Sequence, residues 1–317
     1  MRTLISALGV AAWTLLAALK PVEAQEYPKK QPIKIVVSAS AGGGTDVRAR
    51  LFAELLQRRM GQAVVVENRP GAGSMIGTDF VAKAAPDGYT LLFTAAEFAV
   101  LPAVRDDLPY KFDQFTFLAQ VFRFPILMYG GPKLPVSNIP ELIAYMKANP
   151  GKVRYGTTGV GAVVHLGLAM FESAAGVKGT HVPYPGIAPV YTDMMAGNVD
   201  ITQATPPVTP GINVLGLVGT KRTPLFPDLP TLEEQGVTGA SWDIWFGFMA
   251  PPNLPKPIAD RLIGEIEAVM KDPDAIERFA KISATPDVMT GEAFRKAVLD
   301  DHRRFKELIA RDKLVVQ

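Results

Sequence analysis

Apolar positions first become dense at residues 33–37, where Ile33-Lys34-Ile35-Val36-Val37 makes a short run of strand length. The run gives way to Ser38-Ala39-Ser40-Ala41-Gly42-Gly43-Gly44-Thr45-Asp46, and a helix reaching about Met60 follows. The same order then repeats. Val64-Val65-Val66-Glu67 leads into Asn68-Arg69-Pro70-Gly71-Ala72-Gly73 and a helix through Ala84, and a third strand over 89–94 follows the turn Pro86-Asp87-Gly88. Short apolar strands alternating with helices predict a parallel α/β sheet. Turns after such strands are where ligands sit, because free N–H groups at a helix start point into the crevice. Three consecutive glycines bring backbone close to a bound group with no Cβ in the way. The segment predicts a cradle for an anion or polar ligand.

Strands over 116–120 and 125–129 carry the chain out of this first unit, and Gly130-Gly131-Pro132 marks a boundary. Ser137 or Asn138 caps a helix over 139–148. A short strand over 153–156 ends in Thr157-Thr158-Gly159-Val160-Gly161, ahead of a helix over 162–175. This is a second strand, glycine turn and helix. His181-Val182-Pro183-Tyr184 through Ile187 forms a third such turn into a helix over 188–196. Pro206-Pro207-Val208-Thr209-Pro210 is stiff and extended, and 214–218 is a buried strand. An aromatic-rich strand near 241–248 returns the chain to the first lobe. Helices over 257–271, 273–281 and 291–312 complete that lobe, the first two opening on proline. The expected layout is residues 25–128 with 243–317 as lobe 1 and 129–242 as lobe 2.

Residues 1–24 change the setting. Arg2 supplies a positive start, residues 4–19 are largely apolar, and Val22-Glu23-Ala24 presents small residues for cleavage before Gln25. This reads as a cleavable secretory signal; a membrane span wants about 20 apolar residues and this run is shorter. The mature chain is then an exported, soluble protein. Its charge of +2 falls to +1 without Arg2, Lys20 and Glu23, so no basic field exists for nucleic acid or an anionic membrane. The chain has no cysteine, which excludes disulfides, a thiol nucleophile and a cysteine-type zinc site.

Catalytic readings lack their parts. There is no G-x-S-x-G elbow, and His165, His181 and His302 have no metal-ligand spacing. His165 is either a ligand contact or a helix-face residue bonded locally, and His302 reads as solvated. Gly71-x-Gly73-x-x-x-Gly77 departs from the dinucleotide pattern and follows the second strand, so close helix–strand packing explains its glycines more simply. Trp242 and Trp245 either both pack at a hinge or divide between core and cleft wall. No metal, cofactor or enzymatic activity is expected, with a dinucleotide-dependent oxidoreductase as the remote alternative.

These residues resemble a known family. Residues 35–46, 65–73 and 82–90, then Asn149-Pro150-Gly151-Lys152, residues 159–166, His181-Val182-Pro183-Tyr184, Thr220-Lys221-Arg222 and Pro227-Asp228-Leu229-Pro230-Thr231, look like the Bug family. These are the extracytoplasmic solute receptors of tripartite tricarboxylate transporters. The resemblance covers essentially the whole mature chain. It implies an α/β, two-lobed type II periplasmic binding protein of the Venus flytrap kind, with a ligand cleft between the lobes. It implies a monomer that hands a small carboxylate to the membrane subunits of such a transporter. Family ligands are held by loop amides, hydroxyls and waters, often without a dedicated arginine. Carried across, the first cradle is Ala41, Gly42, Gly43, Thr45 and Asp46. The second is Thr157, Thr158, Gly161, Ala162, Val163, Val164 and His165, and the third turn adds Tyr184, Gly186 and Ile187.

Three departures bear on the ligand. Val163 and Val164 stand where the family usually has hydroxyls, which makes one end of the site apolar. Glu97 and Phe98, expected ligand contacts, replace the family's usual Thr-His pair, and Glu97 repels a carboxylate unless a proton, amine or water intervenes. The stretch after Asp200 is shorter, with residues 206–210 where a short helix usually stands. The expected ligand is a mono- or dicarboxylate with an apolar or aromatic body. The alternatives are an amino acid or other cation-bearing acid at Glu97, and an orphan receptor that feeds a sensor kinase.

Overall fold

A computed structural model describes residues 27–206, 210–219, 221–223, 225–282 and 284–312. The signal segment, the middle of the 206–210 stretch and Thr220 lie outside the described residues. In chain order the elements are β1 (Ile33–Val37), α1 (Gly44–Met60), β2 (Val64–Asn68), α2 (Met75–Ala82), β3 (Thr90–Ala95), α3 (Glu97–Val104), β4 (Thr116–Phe124) and β5 (Leu127–Gly130). Then come α4 (Ile139–Ala148), β6 (Arg154–Thr157), α5 (Val163–Ala175), β7 (Thr180–Pro183), α6 (Ile187–Ala196), β8 (Ile201–Ala204) and β9 (Asn213–Leu217). The chain closes with β10 (Ile244–Ala250), α7 (Lys256–Lys271), α8 (Pro273–Lys281), β11 (Pro286–Thr290) and α9 (Gly291–Asp312).

The strands form two sheets, ordered β11-β4-β10-β3-β1-β2 and β7-β6-β8-β5-β9. In the first, β1 runs parallel to β2 and β3, while β10 is antiparallel to β3 and β4. In the second, β6 is parallel to β7 and β8, and β5 is antiparallel to β8 and β9. Both faces of β1 are covered, which is why its sequence is apolar rather than alternating. Ile33, Ile35 and Val37 join Phe52 of α1 and Phe279 of α8 on one side; Val36 joins Leu92, Phe98 and Phe294 on the other. Phe52 stacks on Phe279 at 5.4 Å and meets Phe122 and Phe248 edge-on. The second sheet is covered the same way, with Leu166, Phe171 and Trp242 on one side and Leu127, Val190 and Met194 on the other.

Helix ends follow their chemistry. Gly61 closes α1 at φ +62°, and the Asn138 side chain accepts from the Glu141 N–H at the start of α4. Gly77 is required by a close approach: an added Cβ would lie 2.8 Å from the Arg69 carbonyl oxygen, confirming helix–strand packing as the reason for that glycine run.

The lobes are joined by crossing segments. β4 passes through Pro125 and Ile126 into β5, and the chain returns through Trp242 and Asp243 into β10. The Val218 N–H donates to the Ile126 carbonyl at 2.7 Å and the Trp242 N–H to that of Val218 at 3.3 Å, so the three segments lie side by side. Arg123 pins the crossing with ion pairs to Asp243 (3.0 Å) and Asp287 (2.6 Å).

Several elements differ from expectation. α3 was not predicted because it carries Pro102 and buries five of its eight residues, leaving no polar face to give it period. β11 is a half-exposed edge strand opened by a proline. Phe305 and Leu308 near the end of α9 pack with Leu166 and Trp242, so the last helix also reaches α5 beside the second sheet. Neither tryptophan walls a cleft. Both are buried, Trp242 donating to Gln203 at 2.9 Å and Trp245 to Asp301 at 3.1 Å.

Candidate functional site

The first cradle follows β1. Ala41, Gly42 and Gly43 are exposed and Thr45 is half-buried, leaving the loop open to a ligand. Gly42 adopts φ +78°, a conformation that disfavours any side chain. Beneath the loop the hydroxyls of Ser38 and Thr94 pair at 3.3 Å at the ends of β1 and β3. Asp46 faces away from the loop's open side. Its buried carboxylate accepts from the Gly42 N–H at 2.8 Å and from Arg50 Nε at 3.0 Å, so it braces the cradle from within. Burial pushes its pKa up, but hydrogen bonds from Arg50, Gly42 and Asn68 outweigh this and hold the carboxyl below the usual range.

Glu97 and Phe98 begin α3 where β3 ends. Phe98 is 2 % exposed among Phe112, Phe115 and Phe117, which places it in the core and corrects its expected ligand contact. A large ring in an apolar helix is drawn inward by the area it removes from water. Glu97 is half-buried. Burial raises its pKa, against hydrogen bonds from its own backbone N–H, Ala95 and Ser74.

The second cradle follows β6. Thr157 is buried, its hydroxyl 2.6 Å from His181 Nε2, while Thr158 is exposed. The Gly161 N–H donates to His165 Nδ1 at 3.1 Å, so His165 is bonded locally and closes the loop. Ala162, Val163 and Val164 are half-buried at the start of α5. The third turn is tied to this cradle: the Tyr184 N–H donates to the Thr157 carbonyl at 2.9 Å, and its hydroxyl donates to Asp193 at 2.6 Å. Gly186 and Ile187 then start α6.

A cavity of about 340 Å³ joins parts of these loops. Thr158, Val164 and Ile187 line it, as do Ile126 and Ile244 of the crossing segments. Tyr191, Gln203, Thr205 and Pro206 complete a mostly apolar wall. Tyr191 is legible in hindsight, four residues after Ile187 on the same face of α6. Gln203 gave no signal, being one polar residue in a buried strand; it is fixed by the Trp242 indole. Residues 41–46 of the other sheet are not part of this wall.

Two residues sequence reasoning did not bring together are His165 and His181. Their rings stack at 4.1 Å and 8°, and His181 stacks in turn on Tyr155, its register partner across β6 and β7. Burial, then the neighbouring His181, lowers His165 to about 4, and burial lowers His181. His302 is not simply solvated: its ring lies tilted against that of Phe112 at 4.4 Å and Nδ1 lies 3.2 Å from the Ala99 carbonyl. Among the described residues no group of three or more His, Cys, Asp or Glu side chains is placed to hold a metal, and no helix is long and apolar enough to cross a membrane.

With two glycine-turn cradles on two sheets joined by crossing segments, comparison with known proteins becomes decisive. The family profile described as tripartite tricarboxylate transporter family receptor matches residues 48–314. The chain belongs to that family. Among relatives of this receptor, BugT of Bordetella pertussis is 33% identical, covering 98% of this chain and 97% of that protein. The periplasmic binding protein BugD is 33% identical with a TM-score of 0.72, covering 91% of this chain and 99% of BugD. An R. palustris protein solved with adipate is 29% identical with a TM-score of 0.76, covering 91% of this chain and 99% of that one. The Polaromonas TctC solute binding protein, with no ligand, has a TM-score of 0.80 at 26% identity, covering 90% of this chain and 99% of that one. The chain is a solute-binding receptor with two α/β lobes, not an enzyme.

Proposed function

We propose that this receptor captures a small mono- or dicarboxylate with an apolar body and delivers it to the membrane subunits of a tripartite tricarboxylate-type transporter. The observation that carries the reading is the cavity of about 340 Å³, where Val164, Ile187, Ile126 and Ile244 supply apolar wall beside the polar second cradle. The adipate-bound relative supports it, adipate being two carboxylates on an apolar chain. In this reading Ala41, Gly42, Gly43 and Thr45 line the ligand from lobe 1, the Ala41 amide and the Thr45 hydroxyl being offered to it while the Gly42 and Gly43 N–H groups stay with Asp46 and Ser40. Thr158 offers its hydroxyl from lobe 2, with Gly186 and Ile187 at the third turn; Gly161 and Ala162 give only backbone surface there, because their N–H groups bond His165 and Gly159. Asp46, Thr157, His165 and Tyr184 hold those loops in shape. Amides at helix starts stabilise an anion by dipole and hydrogen bond, and bridging waters add little entropic cost.

Glu97 fits this picture through its burial. The raised pKa favours the protonated acid, which donates to a ligand carboxylate instead of repelling it. The second reading, an amino acid or other cation-bearing acid, requires the same carboxyl to be ionised beside the ligand's cationic group. The lobes, 25–128 with 243–317 and 129–242, close over the ligand by a hinge at the crossing segments, driven by the ligand's higher affinity for the closed form. Residues 1–24 direct export to the periplasm, in keeping with periplasmic relatives such as BugD.

Valine at position 43 tests the first cradle. An added Cβ at Gly43 lies 3.3 Å from the Ser40 carbonyl oxygen, and two further methyl carbons project over the open loop. G43V is expected to weaken carboxylate binding roughly tenfold or more while the far-UV circular dichroism stays native. Unchanged affinity by titration calorimetry would remove that loop from the site.

A further inference from the structure

Arg48 is a charged side chain that the receptor reading has not used. It lies one turn into α1, directly after the first cradle. Its guanidinium carbon stands 4.2 Å from the Phe124 ring and 4.8 Å from that of Phe246. It also folds back toward the glycine loop, since a Cβ built on Gly44 would lie 2.5 Å from Arg48 Nη1. The group therefore sits between the cradle and the crossing strands. Phe124 ends β4 two residues before Ile126, and Phe246 follows Ile244 by two on β10; both isoleucines line the apolar cavity.

The Arg48 Nε is buried with no hydrogen-bond partner, and among the described residues no carboxylate pairs with the guanidinium. Neighbouring arginines behave differently: Arg50 pairs with Asp46, and Arg123 with Asp243 and Asp287. A cation near a helix N-terminus is opposed by the helix dipole, and burial further disfavours its charge, lowering its pKa. The two aromatic faces offset part of this, but a ring offers no acceptor for five N–H groups.

We propose that Arg48 is the charged anchor of the ligand site, pairing with the ligand's carboxylate while the apolar body extends past Ile126 and Ile244 toward Val164 and Tyr191. The inference rests on the carboxylate-receptor reading and names the residue that selects the anion. It also departs from the expectation that loop amides and waters hold the ligand without a dedicated arginine. A forked guanidinium matches a carboxylate in a way that an ammonium does not.

The test compares wild type, R48M and R48K with adipate and benzoate and with their neutral counterparts, adipamide and benzamide, by calorimetry and thermal shift. Wild type is expected to bind at least one acid and neither amide. R48M should lose that acid roughly ten- to hundredfold, and R48K should recover only part of the loss. Unliganded R48M should melt at or above wild type, because methionine keeps contact with both rings and removes a half-buried charge that no carboxylate among the described residues pairs with. An acid that binds R48M as tightly as wild type overturns the Arg48 assignment alone. Wild type that binds no carboxylate overturns the receptor reading and this inference with it. If R48M melts well below wild type, the Arg48 Nε–H resonance of labelled wild type decides. A shift on saturation with the bound acid supports the anchor, and an unmoved resonance refutes it.

Discussion

Valine at position 167 will lower the melting temperature by about 10 °C, and alanine there will destabilise where a helix interior ordinarily gains about 1 kcal/mol from losing a glycine. Gly167 lies in α5 against the return segment. A Cβ built on it would stand 2.2 Å from Trp242 Nε1 and 2.5 Å from Gln203 Oε1, contacts no side chain sustains. Trp242 is 1 % exposed and has nowhere to move. Overpacking costs about 1–3 kcal/mol, and breaking the buried Trp242–Gln203 hydrogen bond adds about 1–3 kcal/mol. At about 2–4 °C per kcal/mol for a chain of this size, the sum gives the stated shift. Gln203 also lines the cavity, so ligand affinity should fall with stability. Thermal unfolding followed by circular dichroism checks this. G167A as stable as wild type would mean that α5 and the crossing segment are not in contact.

The second large effect is acid sensitivity centred on the stacked histidines. His165 Nδ1 accepts from the Gly161 N–H, a role that imidazolium cannot fill because both its nitrogens carry protons. The folded pKa of about 4 lies below the unfolded value of 6.5, so the unfolded chain takes up the proton first. The pair's contribution is therefore fully present above pH 6.5 and is lost as pH falls toward 4. The shift alone corresponds to about 3 kcal/mol; solvent screening at partly exposed His181 reduces this to about 2 kcal/mol. Urea unfolding at pH 7 and pH 4.5 should show the loss in wild type and a shallower one in H165Q. Equal losses in both would assign the acid sensitivity elsewhere. Because His165 and Thr157 hold the second cradle, binding should weaken over the same interval.

What could be read from the chain was what leaves a local trace. The β1 and β6 turns announced themselves because glycine, an apolar strand and a helix start occur together, and each lies at the end of a strand paired on both sides in its sheet. Asn138 was legible as a cap because capping is decided within three residues. Features set by distant neighbours were not. Asp46 was expected to face the ligand, but its direction depends on Arg50 and the Gly42 amide. Phe98 was assigned to the site from its place in the family pattern, yet three phenylalanines from a later loop and strand draw it into the core. The His165–His181 stack depends on the register of β6 with β7, which no single stretch encodes. Arg48 carried no motif at all, and only its position between Phe124 and Phe246 makes it visible.

The cleft of this receptor is expected to bind a carboxylate with an apolar body. Titration calorimetry of the chain from residue 25 onward, with adipate, benzoate, succinate, citrate and acidic amino acids in turn, tests it most directly. Saturable binding is expected, tightest for an acid with an apolar or aromatic body and weakest for citrate. Citrate binding best, or no heat from any acid, would contradict it.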